Sequence, residues 1–316
     1  MATLSHEAFR RCVARFGGCD EYFTEMINAS SLLNMGPWEK FYLMSGPEPE
    51  KIVWQVTGNK ADAMAEAAAF LAEREGRGID LNMGCSAPQI ANTGAGISWM
   101  TKPIAETRAM VQGVKSAIAN AAKDGMTEKR LSVKLRLGAE DFTDQGFFSF
   151  CDMLVDEGVE LLTLHPRTKK EKYRQKPRYQ YVEALAQKYS GRIPVYLNGA
   201  VCDKTTYDGA MQVSPHASGV MIARAAAQKP WLFAEIRGRK EKIDCEQAAL
   251  HFIDDLEACQ PPEFYKTRLQ RFFAYYCDNF SFGHWFKTQM LNATSPDQSR
   301  ERVREYFAKC PEDRMR

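Results

Sequence analysis

The chain has 316 residues, 45% hydrophobic and 26% charged, with 42 Lys and Arg against 40 Asp and Glu. This composition allows one large α/β domain and a smaller one and excludes a disordered chain; a net charge of +2 neither demands nor excludes a nucleic-acid partner. Its nine cysteines form no CxxC pair, no secretory segment opens the chain and no run reaches membrane-spanning length, so reduced thiols in the cytoplasm are expected.

"MATLSHEAFRRC" predicts a helix that Ser5 can cap, with Phe9, Cys12, Val13 and Phe16 on its apolar side and no strand before it. Seven strand-like runs follow: "EYFTEMI" from Glu21, "KIVWQVTG" from Lys51, "IDLNMGC" from Ile79, "LSVKLRLG" from Leu131, "LLTLHPR" from Leu161, "IPVYLNGAV" from Ile193 and "SGVMIARAA" from Ser218. Helical periodicity separates most of them, at 61–75, 104–122, 146–157 and 179–189, with Asp62 and Asp144 near two first turns and Gly158 closing one helix. Strand and helix in alternation imply a parallel sheet. A (β/α)8 TIM barrel is its natural closure and needs eight strands, so the first is expected to be truncated or missing; a doubly wound open sheet of seven strands competes. After Arg239 only helical periodicity remains, broken by "QPPEF", "SFGH" and "TSPDQ". The expected division is a barrel over 1–240 and an all-helical bundle over 241–316, with aromatics in its core and charges outside.

Chemistry should sit where the strands end, because the loops at the carboxyl ends of barrel strands build the site. Gln55, Asn82, Cys85, Lys134, Arg136, His165, Arg167, Asn198 and Arg224 all lie in or just after the runs. One such residue is more often a satisfied core polar group; nine, from six strands, argue for a shared pocket. No GxxxxGK[ST] or GxGxxG occurs, and "GAGISW" lacks the third glycine and follows no strand. The last two runs end in small residues that expose backbone N–H groups, with Arg224 beside them and a helix expected near Pro230. Loops after barrel strands seven and eight often hold phosphate. With Lys134 and Gln55 available to a heterocycle, a flavin mononucleotide (FMN) suits the pocket better than a sugar phosphate.

"LNMGCSAP", "VKLRLG", "LLTLHPRT", "PVYLNGAV" and "GVMIARAAAQKPWLF" resemble, in order and separation, the tRNA-dihydrouridine synthase family, and "FRRCVARFGGCDEYFTEMI" is similar to its N-terminal segment. In that family the preceding strand carries an Ala-Pro-Met turn, and Met1 falls where that Met would be. The resemblance implies an FMN enzyme, reduced by NADPH, that saturates the C5–C6 bond of a uridine in tRNA. It places FMN on Gln55, Lys134, His165, Asn198, Gly199, Ala200, Ala223 and Arg224, and the uracil on Asn82 and Arg167, with Arg136 beside them. Ser86, Ala200 and Ala223 depart from the family's usual Pro, acidic residue and Gly, and altered FMN contacts are expected there.

Hydride arriving at C6 demands a proton at C5, and Cys85 is the expected donor, since a thiol of ordinary pKa about 8.5 still carries its proton at neutral pH. A buried small hydrophobe is the commoner fate of a cysteine. "KKEKYRQKPR" from Lys169 holds six basic residues in ten, commonly a solvated loop; with a tRNA substrate, Lys170, Lys172 and Arg174 can track phosphates and Tyr173 can stack on an extruded base. No metal and no membrane are expected, and action as a monomer is. Two rivals stay open: a dihydroorotate-dehydrogenase-like flavoenzyme on a free pyrimidine, and an RNA-binding relative that has lost catalysis.

Overall fold

The computed structural model describes residues 1–123, 128–139, 142–171, 174–240 and 242–316. Among them one parallel sheet contains β1 (Tyr22–Phe23), β2 (Ile27–Asn28), β3 (Ile52–Thr57), β4 (Gly78–Met83), β5 (Arg130–Arg136), β6 (Leu161–His165), β7 (Val195–Asn198) and β8 (Gly219–Met221). Both β1 and β2 pair with β3, so they are two pieces of one strand position, and the seven positions coincide with the seven runs. Spatial order follows chain order from β1 to β8. A doubly wound sheet reverses direction at a switch point, so this order excludes it and leaves the singly wound (β/α)8 type. Among the described residues no strand precedes the first helix, Glu7–Ala14, and no strand pairing joins β8 to β1.

Side chains alternate along each strand, and the two faces differ in chemistry. Trp54, Val56, Ile79, Leu81, Leu131, Val133, Leu162, Leu164, Val195 and Leu197 form the apolar set, all essentially inaccessible. At the other parity stand Gln55, Asp80, Asn82, Ser132, Lys134, Arg136, Thr163, His165 and Asn198. This polar column is the inside of the curled sheet.

The expected helices appear as Ala61–Ala72, Ile104–Lys123, Asp144–Asp156 and Gln180–Lys188. Gly158, at φ +88°, follows the third in a left-handed conformation that suits glycine. Ser5 is a correction: the helix starts one residue later, with His6 at the cap and no side-chain cap bond, while Ser5 Oγ accepts from the Met1 amino group at 2.5 Å. The helix expected near Pro230 is present as Leu232–Ile236, and a further short helix, Arg224–Gln228, lies between β8 and it.

After residue 240 four α-helices are described: Cys245–Cys259, Pro262–Tyr276, Gly283–Asn292 and Pro296–Lys309. Aromatics form their core, with Phe252 stacked on Phe272 at 3.7 Å and Phe286 on Tyr306 at 4.2 Å between ring centroids. Arg268 breaks the rule of charges outside. It is 2% exposed and meets the equally buried Glu25, between β1 and β2, at 2.6 Å. No described helix is long and apolar enough to cross a membrane.

Candidate active site

Cys85 lies two residues past β4, half-buried and with a free thiol. Asn82 holds its loop: Asn82 Oδ1 accepts from the amides of Cys85 at 2.9 Å and Gly84 at 3.3 Å. Arg136 braces the same loop by donating to Gly84 O at 3.0 Å, and reaches Thr168 O at 3.4 Å. Gly96, in "GAGISW", sits at φ +58° where a Cβ would meet Cys85 O at 2.6 Å, and the next amide, Ile97, donates to that oxygen at 3.0 Å. Gly96 therefore serves the cysteine loop, which explains it without a phosphate.

Behind the loop Asn82 Nδ2 donates to Gln55 Oε1 at 2.9 Å, Gln55 Nε2 to Asp80 Oδ2 at 2.8 Å, and Ser132 Oγ to Asp80 Oδ1 at 2.7 Å. Asp80 and Ser132 were not expected as site residues. Their signal was parity, because Asp80 stands two residues before Asn82 and so on the same face. Burial pushes the Asp80 carboxyl up to about 6, against the pull of its hydrogen bonds and of Lys134.

Lys134, half-buried on β5, is pulled down to about 8 by burial and then by Arg136, with Asp80 opposing. His165, at the end of β6, falls to about 2 through burial and then through Lys134, Arg136, Arg167 and Arg224. Its ring is neutral at physiological pH. Arg167 Nη1 lies 2.9 Å from His165 Nε2, and a guanidinium only donates, so Nε2 accepts and the ring proton resides on Nδ1. Arg167 Nε donates to Gln175 O at 2.6 Å.

Asn198 closes β7 and donates to Met221 O at 2.7 Å. Gly199 follows at φ +124°, where a Cβ would meet His165 Cδ2 at 2.7 Å, and Ala200 adopts φ +58°. Ala223 caps the helix that Arg224 begins. Among the described residues the amides of Gly199, Ala200 and Ala223 donate to no protein acceptor. Met1 enters the same region: burial lowers its amino group to about 6, with Glu25, Lys134 and Cys85 within electrostatic reach.

The basic loop lies to one side. Lys170 and Arg174 are exposed and line, with Thr168, Glu171, Gln175 and Arg178, an open cleft of about 500 Å³. It is not wholly basic, since Glu171 pairs with Arg178 at 3.1 Å. Lys172 and Tyr173 lie outside the described residues. Cys85, Gln55, Asn82, Lys134, Arg136, His165, Arg167, Asn198, Gly199, Ala200, Ala223 and Arg224 thus come from six strand ends to one mouth, and the loop joins it through Arg167 and Gln175.

Comparison with known proteins places the chain among relatives of one family. A protein named probable tRNA-dihydrouridine synthase 1, from Synechocystis sp., is 27% identical over 305 residues, covering 93% of this chain and 81% of its own. A probable tRNA-dihydrouridine synthase of Helicobacter pylori is 31% identical over 236 residues, 74% of this chain and 67% of its own. A human protein whose name couples tRNA-dihydrouridine(47) synthase with NAD(P)(+) is 29% identical over 242 residues, 76% of this chain and 35% of its own. With the family model described as dihydrouridine synthase (Dus) matching residues 1–309, the chain belongs to the dihydrouridine synthase family, an oxidoreductase family.

Proposed function

We propose that this chain reduces one uridine of tRNA to 5,6-dihydrouridine, with FMN as resident cofactor and NADPH as reductant. Residues 1–240 hold the cofactor and 241–316 help hold the tRNA, one chain acting alone in the cytoplasm. The observation that carries this reading is Cys85, half-buried, with its backbone amide held by Asn82 in the same mouth as Lys134 and the cations around His165.

The donor set suits FMN. Lys134, Arg136, Arg167 and Arg224 all lower His165, so the mouth is electropositive, and the amides of Gly199, Ala200 and Ala223 suit phosphate oxygens. Lys134 and Gln55 would face the heterocycle, and Asn82 and Arg167 the uracil. When bound, FMN reduced by NADPH supplies a hydride to C6 of the uracil. The C5–C6 π pair then takes the proton of Cys85 at C5, the S–H bond breaks, and the thiolate recovers a proton from water. Neutral His165, fixed by Arg167, adds a hydrogen-bonding edge without a further charge.

An anionic cofactor beside Lys134 raises that amine's pKa, so binding favours its protonated form. Affinity for FMN should therefore fall as pH rises through about 8, approaching tenfold per unit. Fluorescence titration from pH 7 to 9.5 checks this; the slope should vanish in Lys134→Met, and a flat wild-type profile removes Lys134 from the cofactor's surroundings.

At the rim, neutralising Lys170 and Arg174 together should weaken tRNA binding and reduce the slope of log Kd against log salt by about 1 per lost phosphate contact. Identical slopes in wild type and variant would take this loop out of the interface.

Position-resolved mapping of dihydrouridine in tRNA from cells with and without the gene tests the reaction itself. Loss of the base at one position is expected. Unchanged tRNA would instead favour a flavoenzyme acting on a free pyrimidine, and a colourless purified protein an RNA-binding relative without catalysis.

A further inference from the structure

Asp80 belongs to no expected role, yet its side chain is fully buried at the centre of the mouth's polar network. Both of its oxygens are used, Oδ1 by Ser132 and Oδ2 by Gln55. An ionised carboxylate accepts and never donates. Gln55 must therefore turn its NH2 group toward Asp80, which leaves Gln55 Oε1 on the opposite side, where Asn82 Nδ2 donates. That bond in turn leaves Asn82 Oδ1 facing the backbone, where it receives the amides of Gly84 and Cys85. Flipping either amide alone would set donor against donor or carbonyl against carboxylate. An unpaired buried polar group costs about 1–3 kcal/mol, enough to hold one arrangement.

We propose that Asp80 is a positioning residue: the acceptor it presents to Gln55 fixes the orientation of the Gln55 and Asn82 amides and, through them, the backbone that carries Cys85. The sense of the whole relay is set at its buried end. Ser132 keeps that end in place, and its hydroxyl, which also lies 3.4 Å from Ile79 O, can reverse its role from donor to acceptor. The relay concerns the loop and stands whatever Cys85 does. Its consequence for reduction rests on the proton transfer proposed above.

Residue-resolved amide exchange of the full chain at pH 8 tests the relay. Asp80→Ala removes the acceptor, and exchange at Cys85 and Gly84 should accelerate at least tenfold, while Val133 and Leu164 in the neighbouring strands keep their protection. Asp80→Asn should stay within about threefold of wild type, because its carbonyl can still face Gln55 while its NH2 donates to Ser132. If Asp80→Ala does not fold, Gln55→Met breaks the relay one bond later and should produce the same local acceleration. Unchanged exchange at Cys85 in the folded variants would overturn the proposal. So would Asp80→Asn behaving like Asp80→Ala, since charge and not acceptor sense would then be at work. Faster exchange with undiminished dihydrouridine formation would leave the relay standing and remove Cys85 from proton transfer.

Discussion

Cys85→Ala should bind FMN and tRNA as the wild type does, yet form dihydrouridine about 10²–10⁴-fold more slowly in a single turnover, the range a positioned general acid supplies. The mouth explains why the loss should be confined to chemistry. The bonds that hold the loop run to its backbone, from Asn82 to the amides of Gly84 and Cys85 and from Arg136 and Ile97 to carbonyl oxygens. Removing Sγ leaves all of them intact. Cys85 is half-buried at the strand end, whereas Cys12, Cys151 and Cys245 are sealed in the apolar core. Cys85→Ser, which keeps a hydrogen on a much weaker acid, should fall near the alanine variant. Wild-type single-turnover rates in both would remove Cys85 from the reaction.

The second large effect concerns stability. Arg268 and Glu25 are 2% and 4% exposed and 2.6 Å apart, and they join the helical part to the gap between β1 and β2. Two further partners fix the pair: Thr3 N donates to the other Glu25 oxygen, and the guanidinium lies 4.7 Å from the Phe264 ring centroid. Arg268→Ala strands a carboxylate in a dry place and should cost about 3–5 kcal/mol in denaturant unfolding. Arg268→Met with Glu25→Gln should recover most of this, because a neutral replacement leaves no buried charge unpaired. A single-variant loss below about 1 kcal/mol would mean that water reaches the pair. The neighbour Thr24 accepts from the Gln55 amide at 3.0 Å, so the variant should also loosen the β3 side of the mouth.

How far the sequence could be read depended on the range of the interactions involved. The seven strand positions were legible because each is a short run of apolar residues, with polar side chains alternating among them from β3 to β7, and the intervening helices carry apolar residues at a period of about four; such patterns are local. Ser5 was misplaced by one residue because a cap depends on where the first helical turn closes, and His6 took that place. Most aromatics of the helical part form its core, as their spacing leads one to expect, while Phe282 and Trp285 stay exposed. Arg268 was not legible as core, since its reason for burial, Glu25, lies 243 residues away.

The site shows the same division. The residue types at the strand ends announced a pocket, and the motif order announced a family, because both are carried by the chain itself. Only the tertiary structure placed Asp80 and Ser132 behind Gln55 and Asn82, assigned Gly96 to the Cys85 carbonyl, and gathered four cations around His165. The sequence by itself thus determined which strands and chemical groups exist, through local periodicity and residue type. Folding decided which groups touch and in which donor–acceptor sense, because hydrogen bonds and charge interactions act over distances that have no counterpart in sequence separation.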